Sequence, residues 1–256
     1  MIECSIKPTA GINTCNIFAT AEKKQSNYLY DNKECYNKFA RVYQHRKESG
    51  LVAEHLLEPI SRALDTEIGK ESYRVIELGC GTANILTGLA NLPDGHRYNL
   101  YGIDFSEKMI EYARKNCLSS ERTKNIEIAN ENVLNIEDVS SLPFEEKDKF
   151  DMVIMVALIH LFPEKDARKL LDNVKNLLYP NGLIYIDTTR EKVCREAEMT
   201  LKKDYGIFAK RLRAYWTKES FEEFLNDCGF DIIYSDDNHE SDGKMWLQRF
   251  IKIKNG

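Results

Sequence analysis

Arg74-Val75-Ile76-Glu77-Leu78-Gly79-Cys80-Gly81-Thr82-Ala83-Asn84 is the stretch that decides the fold. A β-branched apolar run carrying a single acid breaks into two glycines spaced one apart. A helical pattern of Ile85, Leu86 and Leu89 follows at once. That order is a strand, a tight turn and a helix N-terminus, the layout by which doubly wound sheets hold nucleotide-type cofactors. Asn84 stands where a dinucleotide fingerprint has its third glycine, and Glu77 sits just before the turn. An acid aimed at a pyrophosphate repels it, whereas the same acid suits an ammonium group. The turn therefore reads as a pocket for an amino-acid nucleoside such as S-adenosylmethionine, and against NAD.

Outward from this turn, strands alternate with helices, which implies a mostly parallel sheet covered on both faces. Strands are expected at Val75 to Leu78, Tyr98 to Ile103, Ile126 to Ile128, Phe150 to Val156, Leu183 to Ile186, Phe230 to Tyr234 and Trp246 to Ile253. Helices are expected from Asn84, from Ser106 (a cap) to Cys117, from Glu164 to Leu178, and from Thr217 to Cys228 with Gly229 as C-cap. Tyr179-Pro180-Asn181-Gly182 reads as a turn. Upstream, Tyr36, Phe39, Ala40 and Tyr43 fall at i, i+3, i+4 and i+7, and a second stripe runs from Leu51 to Ile60. Two helices separated near Gly50 are expected to cap the core, after a polar lead-in of about 25 residues. The organisation is thus a lead-in and helical cap over 1–66 and an α/β core over 67–256.

The 256 residues carry a net charge of -5, which gives no electrostatic case for nucleic acid or an anionic membrane as partner. No apolar run approaches the roughly 20 residues of a membrane-spanning helix. No basic segment followed by an apolar one opens the chain, so a cytoplasmic location is the expectation. The cysteines at 4, 15, 35, 80, 117, 194 and 228 are scattered and include no C-x-x-C. They suggest reduced thiols, with neither zinc site nor disulfide framework. No metal is expected.

A second signal is Tyr101-Gly102-Ile103-Asp104-Phe105-Ser106, in which Asp104 ends a strand and follows the glycine turn at close to the usual spacing. An acid there can accept both hydroxyls of a ribose, with Phe105 and Met109 packing on the adenine. The plainer reading is an acid favoured by the following helix N-terminus.

Glu77 to Thr82, Gly102 to Ser106, Phe150-Asp151-Met152-Val153 and Leu178 to Gly182 together resemble the ordered motifs of class I S-adenosylmethionine-dependent methyltransferases. The resemblance covers about Tyr73 to Ile253 and implies a seven-stranded sheet whose last strand is antiparallel. It implies that Gly79 and Gly81 meet the cofactor's amino-acid portion with Glu77 nearby. It puts Asp104 on the ribose and Asn132 and Val133 at the adenine, Asn132 replacing an aspartate. Ala157 and Leu158 then lie where the active site opens. His160, in Ala157-Leu158-Ile159-His160-Leu161, is a candidate base for the acceptor's proton; the alternative is a core histidine bonded to backbone. Tyr36 to Tyr43 resembles a family pattern in a helix lying over the cofactor, where Tyr36 attracts the sulfonium and Arg46 binds the cofactor carboxylate.

Thr188 to Trp216 matches an insertion that usually covers the acceptor in this family. Its arginines among aromatics suit an acceptor with a carboxylate or phosphate, with Arg190 and Tyr215 as substrate-binding candidates; the alternative is a solvated basic helix. The expected function is transfer of a methyl group to a small-molecule oxygen, nitrogen or carbon. The alternatives are a non-catalytic cofactor-binding scaffold and a protein or nucleic-acid methyltransferase. The nucleic-acid version is disfavoured because Met155-Val156-Ala157-Leu158 replaces an Asp/Asn-Pro-Pro-aromatic segment.

Overall fold

The computed structural model describes residues 14–48, 54–241 and 243–254. In chain order its elements are α1 (Thr14–Glu48), α2 (Glu54–Glu67), β1 (Tyr73–Leu78), α3 (Asn84–Asn91), β2 (Tyr98–Asp104), α4 (Glu107–Cys117), β3 (Glu127–Asn130) and β4 (Phe150–Met155). There follow α5 (Glu164–Leu177), β5 (Leu178–Thr189), β6 (Arg195–Asp204), β7 (Ile207–Tyr215), α6 (Lys218–Asp227), β8 (Phe230–Asp236), β9 (Glu240–Ser241) and β10 (Lys244–Ile253).

The main sheet has the order β3-β2-β1-β4-β5-β10-β8, with the two-residue β9 paired to the start of β10. β10 runs antiparallel to β5 and β8, while the pairs among β1 to β5 are parallel. This is the doubly wound, mostly parallel sheet of seven main strands that the motifs implied. Every residue of β4 is buried, and five of six in β1 are, because helices cover both faces. One apolar layer joins the sheet to α5 and α6, the other to α2, α3 and α4. The strand order reverses between β1 and β4: β1 to β3 step one way across the sheet and β4 and β5 the other. A crevice opens there beyond the strands' carboxyl ends.

Helix boundaries follow the capping residues. Ser106 caps α4 by accepting from the Met109 amide, and Thr217 opens α6 with a reciprocal box through Ser220. Gly229 sits just past α6 at φ 82°.

Three stretches differ from the sequence expectation. Tyr179 to Gly182 is a bulged portion of β5: the register jumps from Phe150↔Leu178 to Met152↔Leu183, absorbing the extra residues. α1 begins at Thr14, inside the expected lead-in, where Ala19, Ala21 and Glu22 favour helix. Residues 1–13 and the break near Gly50 lie outside the described residues. The segment after β5 is no basic helix; β6 and β7 form an antiparallel hairpin closed by Tyr205 and Gly206, at φ 45° and 75°. Two positive φ angles in a two-residue loop match the twist of a tight hairpin. The hairpin lies on α1 through Cys35, Phe39, Val42 and Ala209. No helix among the described residues is long and apolar enough to cross a membrane.

Candidate active site

The glycine turn is built by alternating left-handed residues: Gly79, Gly81 and Ala83 have φ of 76°, 53° and 61°. The amides of Gly79 and Cys80 both donate to the Ile103 carbonyl, at 2.7 and 3.0 Å, tying the turn to the end of β2. The positive φ of Gly79 disfavours any side chain, and an added Cβ would lie 2.9 Å from Leu158 Cδ1, which would have to shift. Around Gly81 the nearest atom to such a Cβ is Met109 Sδ at 4.0 Å, which leaves bare backbone facing open space.

Asp104 completes the turn. Its Oδ2 accepts from the Gly81 amide at 2.9 Å and its Oδ1 from the Ser106 amide at 2.8 Å. Burial pushes its carboxyl up to about 6, against the pull of those two amides. Glu77, 3% exposed, has an Oε2 with no hydrogen-bond partner among the described residues. Burial, then Asp104, drives its carboxyl well above the usual range, with Lys47 opposing. The Lys47 ammonium reaches over α3 to donate to Thr87 Oγ1 at 2.7 Å. Asp187 at the end of β5 accepts from the Ala157 amide at 2.6 Å, and burial pushes it up to about 7. Three strand ends thus bring carboxyl groups together with few countercharges.

The cleft beside this turn is floored by Gly79, Gly81 and Asp104, walled by Phe105, Met109 and Val133, and roofed by Tyr36 and Tyr43 of α1. Its one lining cation among the described residues is Lys33, which is paired to Glu107 and sits 5.0 Å over the Phe105 ring.

A model of a methyltransferase domain family matches residues 69–228. The chain belongs to that family. Its class is that of the S-adenosylmethionine-dependent methyltransferases, and its cofactor is S-adenosylmethionine. Among relatives, it is 35% identical over 182 residues to a carboxy-S-adenosyl-L-methionine synthase of Campylobacter hominis, covering 64% of this chain and 72% of that protein. It is 27% identical over 110 residues to a tRNA N(3)-methylcytidine methyltransferase of Drosophila melanogaster, covering 43% of this chain and 32% of that one. A solved S-adenosylmethionine-dependent methyltransferase of Clostridium acetobutylicum superposes with a TM-score of 0.60 at 15% identity, over 86% of this chain and 100% of that one. The chain spans only 32% and 53% of the first curated relatives it matches.

The residues of this chain fit that cofactor. Bare backbone at Gly81, a carboxylate on the cleft floor and an unpartnered buried Glu77 oxygen suit hydroxyls and an ammonium group. They do not suit phosphates.

Of the residues singled out in the sequence, Tyr36, Gly79, Gly81, Asp104, Phe105, Met109, Asn132, Val133 and Ala157 line the cleft. Asn132 already spends one lone pair of its amide oxygen on the Leu134 amide, at 3.1 Å. Ala157 takes a φ of 53° to turn the chain out of β4. Glu77 is buried and does not itself line the cleft.

Four other residues lie away from it. Arg46 points to the hairpin and pairs with Asp204 at 2.8 Å. Arg190 is exposed, and its amide donates to the Met245 carbonyl at 2.8 Å. Tyr215 donates to Glu198 at 2.9 Å under the Arg195 guanidinium, 3.8 Å from its ring. His160 is 2% exposed with Nδ1 3.4 Å from Thr188 Oγ1. Burial, then Arg213 and other cations, holds its imidazole well below its ordinary range, hence neutral.

Sequence reasoning missed Asn32, Lys33, Lys47 and Asp187. The first two continue the Tyr36 stripe back along α1 at helical spacing, and Asp187 ends a buried strand as Glu77 and Asp104 do, so both signals were present.

Proposed function

We propose that this chain transfers the methyl group of S-adenosylmethionine to a small molecule held under α1, on the side of the β6–β7 hairpin. The observation that carries the reading is the roofed cleft: a phosphate-averse floor lies under two tyrosines whose hydroxyls face the hairpin. When bound, the cofactor supplies an electrophilic methyl group on a positively charged sulfur.

Asp104 accepts the ribose hydroxyls, and Phe105, Met109 and Val133 enclose the adenine. Asn132 accepts from the adenine amine with its remaining lone pair. The acidic trio attracts the ammonium group, and Lys47, in place of Arg46, meets the carboxylate. The rings of Tyr36 and Tyr43, 6.1 Å apart, face the sulfonium and keep water out. An acceptor lone pair would take the cofactor's methyl carbon in line as the carbon–sulfur bond breaks to leave the thioether, and any acceptor proton would pass to solvent. Rate comes from orientation in a dry site more than from acid–base help. His160 is a packing residue behind this site.

Calorimetry with S-adenosylhomocysteine and NADH, followed by an acceptor screen with labelled methyl donor, tests the reading. Binding of the first ligand alone and appearance of label in an acceptor are expected. Binding of NADH instead, or cofactor binding without turnover on any acceptor, overturns it. Mass spectrometry of the nucleoside product separates methyl transfer, which leaves the thioether, from the synthesis named for the Campylobacter relative, which yields a carboxylated sulfonium.

A further inference from the structure

The hairpin carries buried positive charge immediately behind the roof tyrosines. Arg211 and Arg213 alternate onto one face of β7, and the register pairing Lys202 with Ala209 sets Lys202 on that same face. Both arginines are more than nine-tenths buried. Arg211 Nη1 donates to the Tyr36 hydroxyl at 2.9 Å, and Lys202 Nζ donates to the Tyr43 hydroxyl at 2.8 Å. Lys202 also lies 4.9 Å over the Phe39 ring.

Acids near this face are already engaged. Glu191 pairs with Arg213 at 3.3 Å, Asp204 with Arg46, and Glu198 with Arg195 and Tyr215. Arg211 Nε has no partner among the described residues. Lys244 of β10 adds to the same field. Burial and these neighbouring cations depress the ammonium groups of Lys202 and Lys244 and the imidazole of His160 together. Buried cations in excess of buried anions cost several kcal/mol unless a countercharge arrives.

We propose that Arg211, Lys202 and Arg213 form the subsite for an oxyanion on the methyl acceptor, so that the acceptor class is small organic acids or phosphate esters. The inference rests on the methyl-transfer reading for the identity of the ligand as acceptor. A guanidinium edge matches a carboxylate or phosphate geometrically, which a solvated lysine patch does not. The oxyanion reaches Arg211 past the tyrosine hydroxyls, which places the rest of the acceptor under the roof, next to the methyl donor. Lys47, held by Thr87 of α3, is the cation assigned above to the cofactor's own carboxylate, so the hairpin cations remain for the second ligand.

The test is calorimetry on the full chain, saturated with S-adenosylhomocysteine, at constant ionic strength. Benzoate, phenyl phosphate and the neutral isostere benzamide are the probes. One of the two anions is expected to bind at least about tenfold tighter than benzamide, and the tighter one names the oxyanion. Arg211→Met and Lys202→Met should each weaken that anion about tenfold or more, while changing S-adenosylhomocysteine affinity less than about threefold. If Arg211→Met fails to fold, the half-buried Lys202→Met carries the comparison. Equal affinity for acid and amide, no anion binding, unchanged binding in the variants, or displacement of S-adenosylhomocysteine by the anion overturns the proposal. Failure of S-adenosylhomocysteine to bind overturns the methyl-transfer reading instead, and the acid–amide comparison still reads the subsite.

Discussion

On the proposed reading, Asp104 has to be charged to accept the ribose hydroxyls. Its carboxyl is pushed up to about 6 by burial, and hydroxyl donors favour the ionised form. Cofactor affinity is therefore expected to rise as pH goes from about 5 to about 7 and to level off above. Calorimetry at these pH values checks the slope, and Asp104→Asn should remove it. Asp104→Ala should weaken binding by about 100-fold or more, since hydrogen bonds to a charged group contribute about 1.5–3 kcal/mol each. For His160, buried and neutral, His160→Gln is expected to lower kcat by less than about tenfold, whereas loss of a general base costs about 100- to 10,000-fold. At this scale the sequence was legible wherever backbone shape dictates the residue, as at Gly79, Gly81 and Asp104. Arg46 and Tyr215 instead engage Asp204 and Glu198, through tertiary pairing that no local spacing announces.

Among the elements, one buried side chain of α1 bridges the hairpin to the turn after β4. Asn32 donates to the Leu161 carbonyl at 2.9 Å and accepts from the Leu212 amide at 2.7 Å. Asn32→Ala leaves two buried backbone groups unpaired and is expected to cost about 2–4 kcal/mol by chemical denaturation, with faster hydrogen exchange at the Leu212 amide. An unchanged Leu212 amide would show that this tie does not hold the roof. The α1 stripe could be read from its 3.6-residue period, and the core strands from their apolar runs between glycine-rich turns. The hairpin could not. Its turn is Tyr205-Gly206, without the Asn-Gly or Asp-Gly pair that announces a hairpin, and its strands put Lys and Arg on both faces, which blurs the alternation. The bulge at Tyr179 to Gly182 was hidden for a related reason: turn residues accommodate a bulged strand equally well.

Across the whole molecule, the cofactor floor makes the unliganded protein sensitive to pH. The folded carboxyls of Asp104 and Asp187 sit at about 6 and about 7, and that of Glu77 is also raised; unfolded carboxyls sit near 4. The folded state therefore binds more protons than the unfolded one over this interval, so the stability these groups give at acid pH is lost as pH rises through their folded values. His160 and His55, both depressed, act in the opposite sense, but mainly below about 6.5. From pH 6.5 to 7.5 the carboxyls dominate, and the Tm of the unliganded protein should fall. Bound cofactor, which places a cation near these groups, should flatten the trend. A Tm that climbs over that interval would show the trio to be ionised at little cost.

Tyr36 and Tyr43 both line the cleft, and their hydroxyls accept from Arg211 and Lys202 of the hairpin. With donor and acceptor bound as proposed, the same two side chains answer to both occupants. Whatever factor the first then gains by stiffening them, the second gains equally by thermodynamic reciprocity.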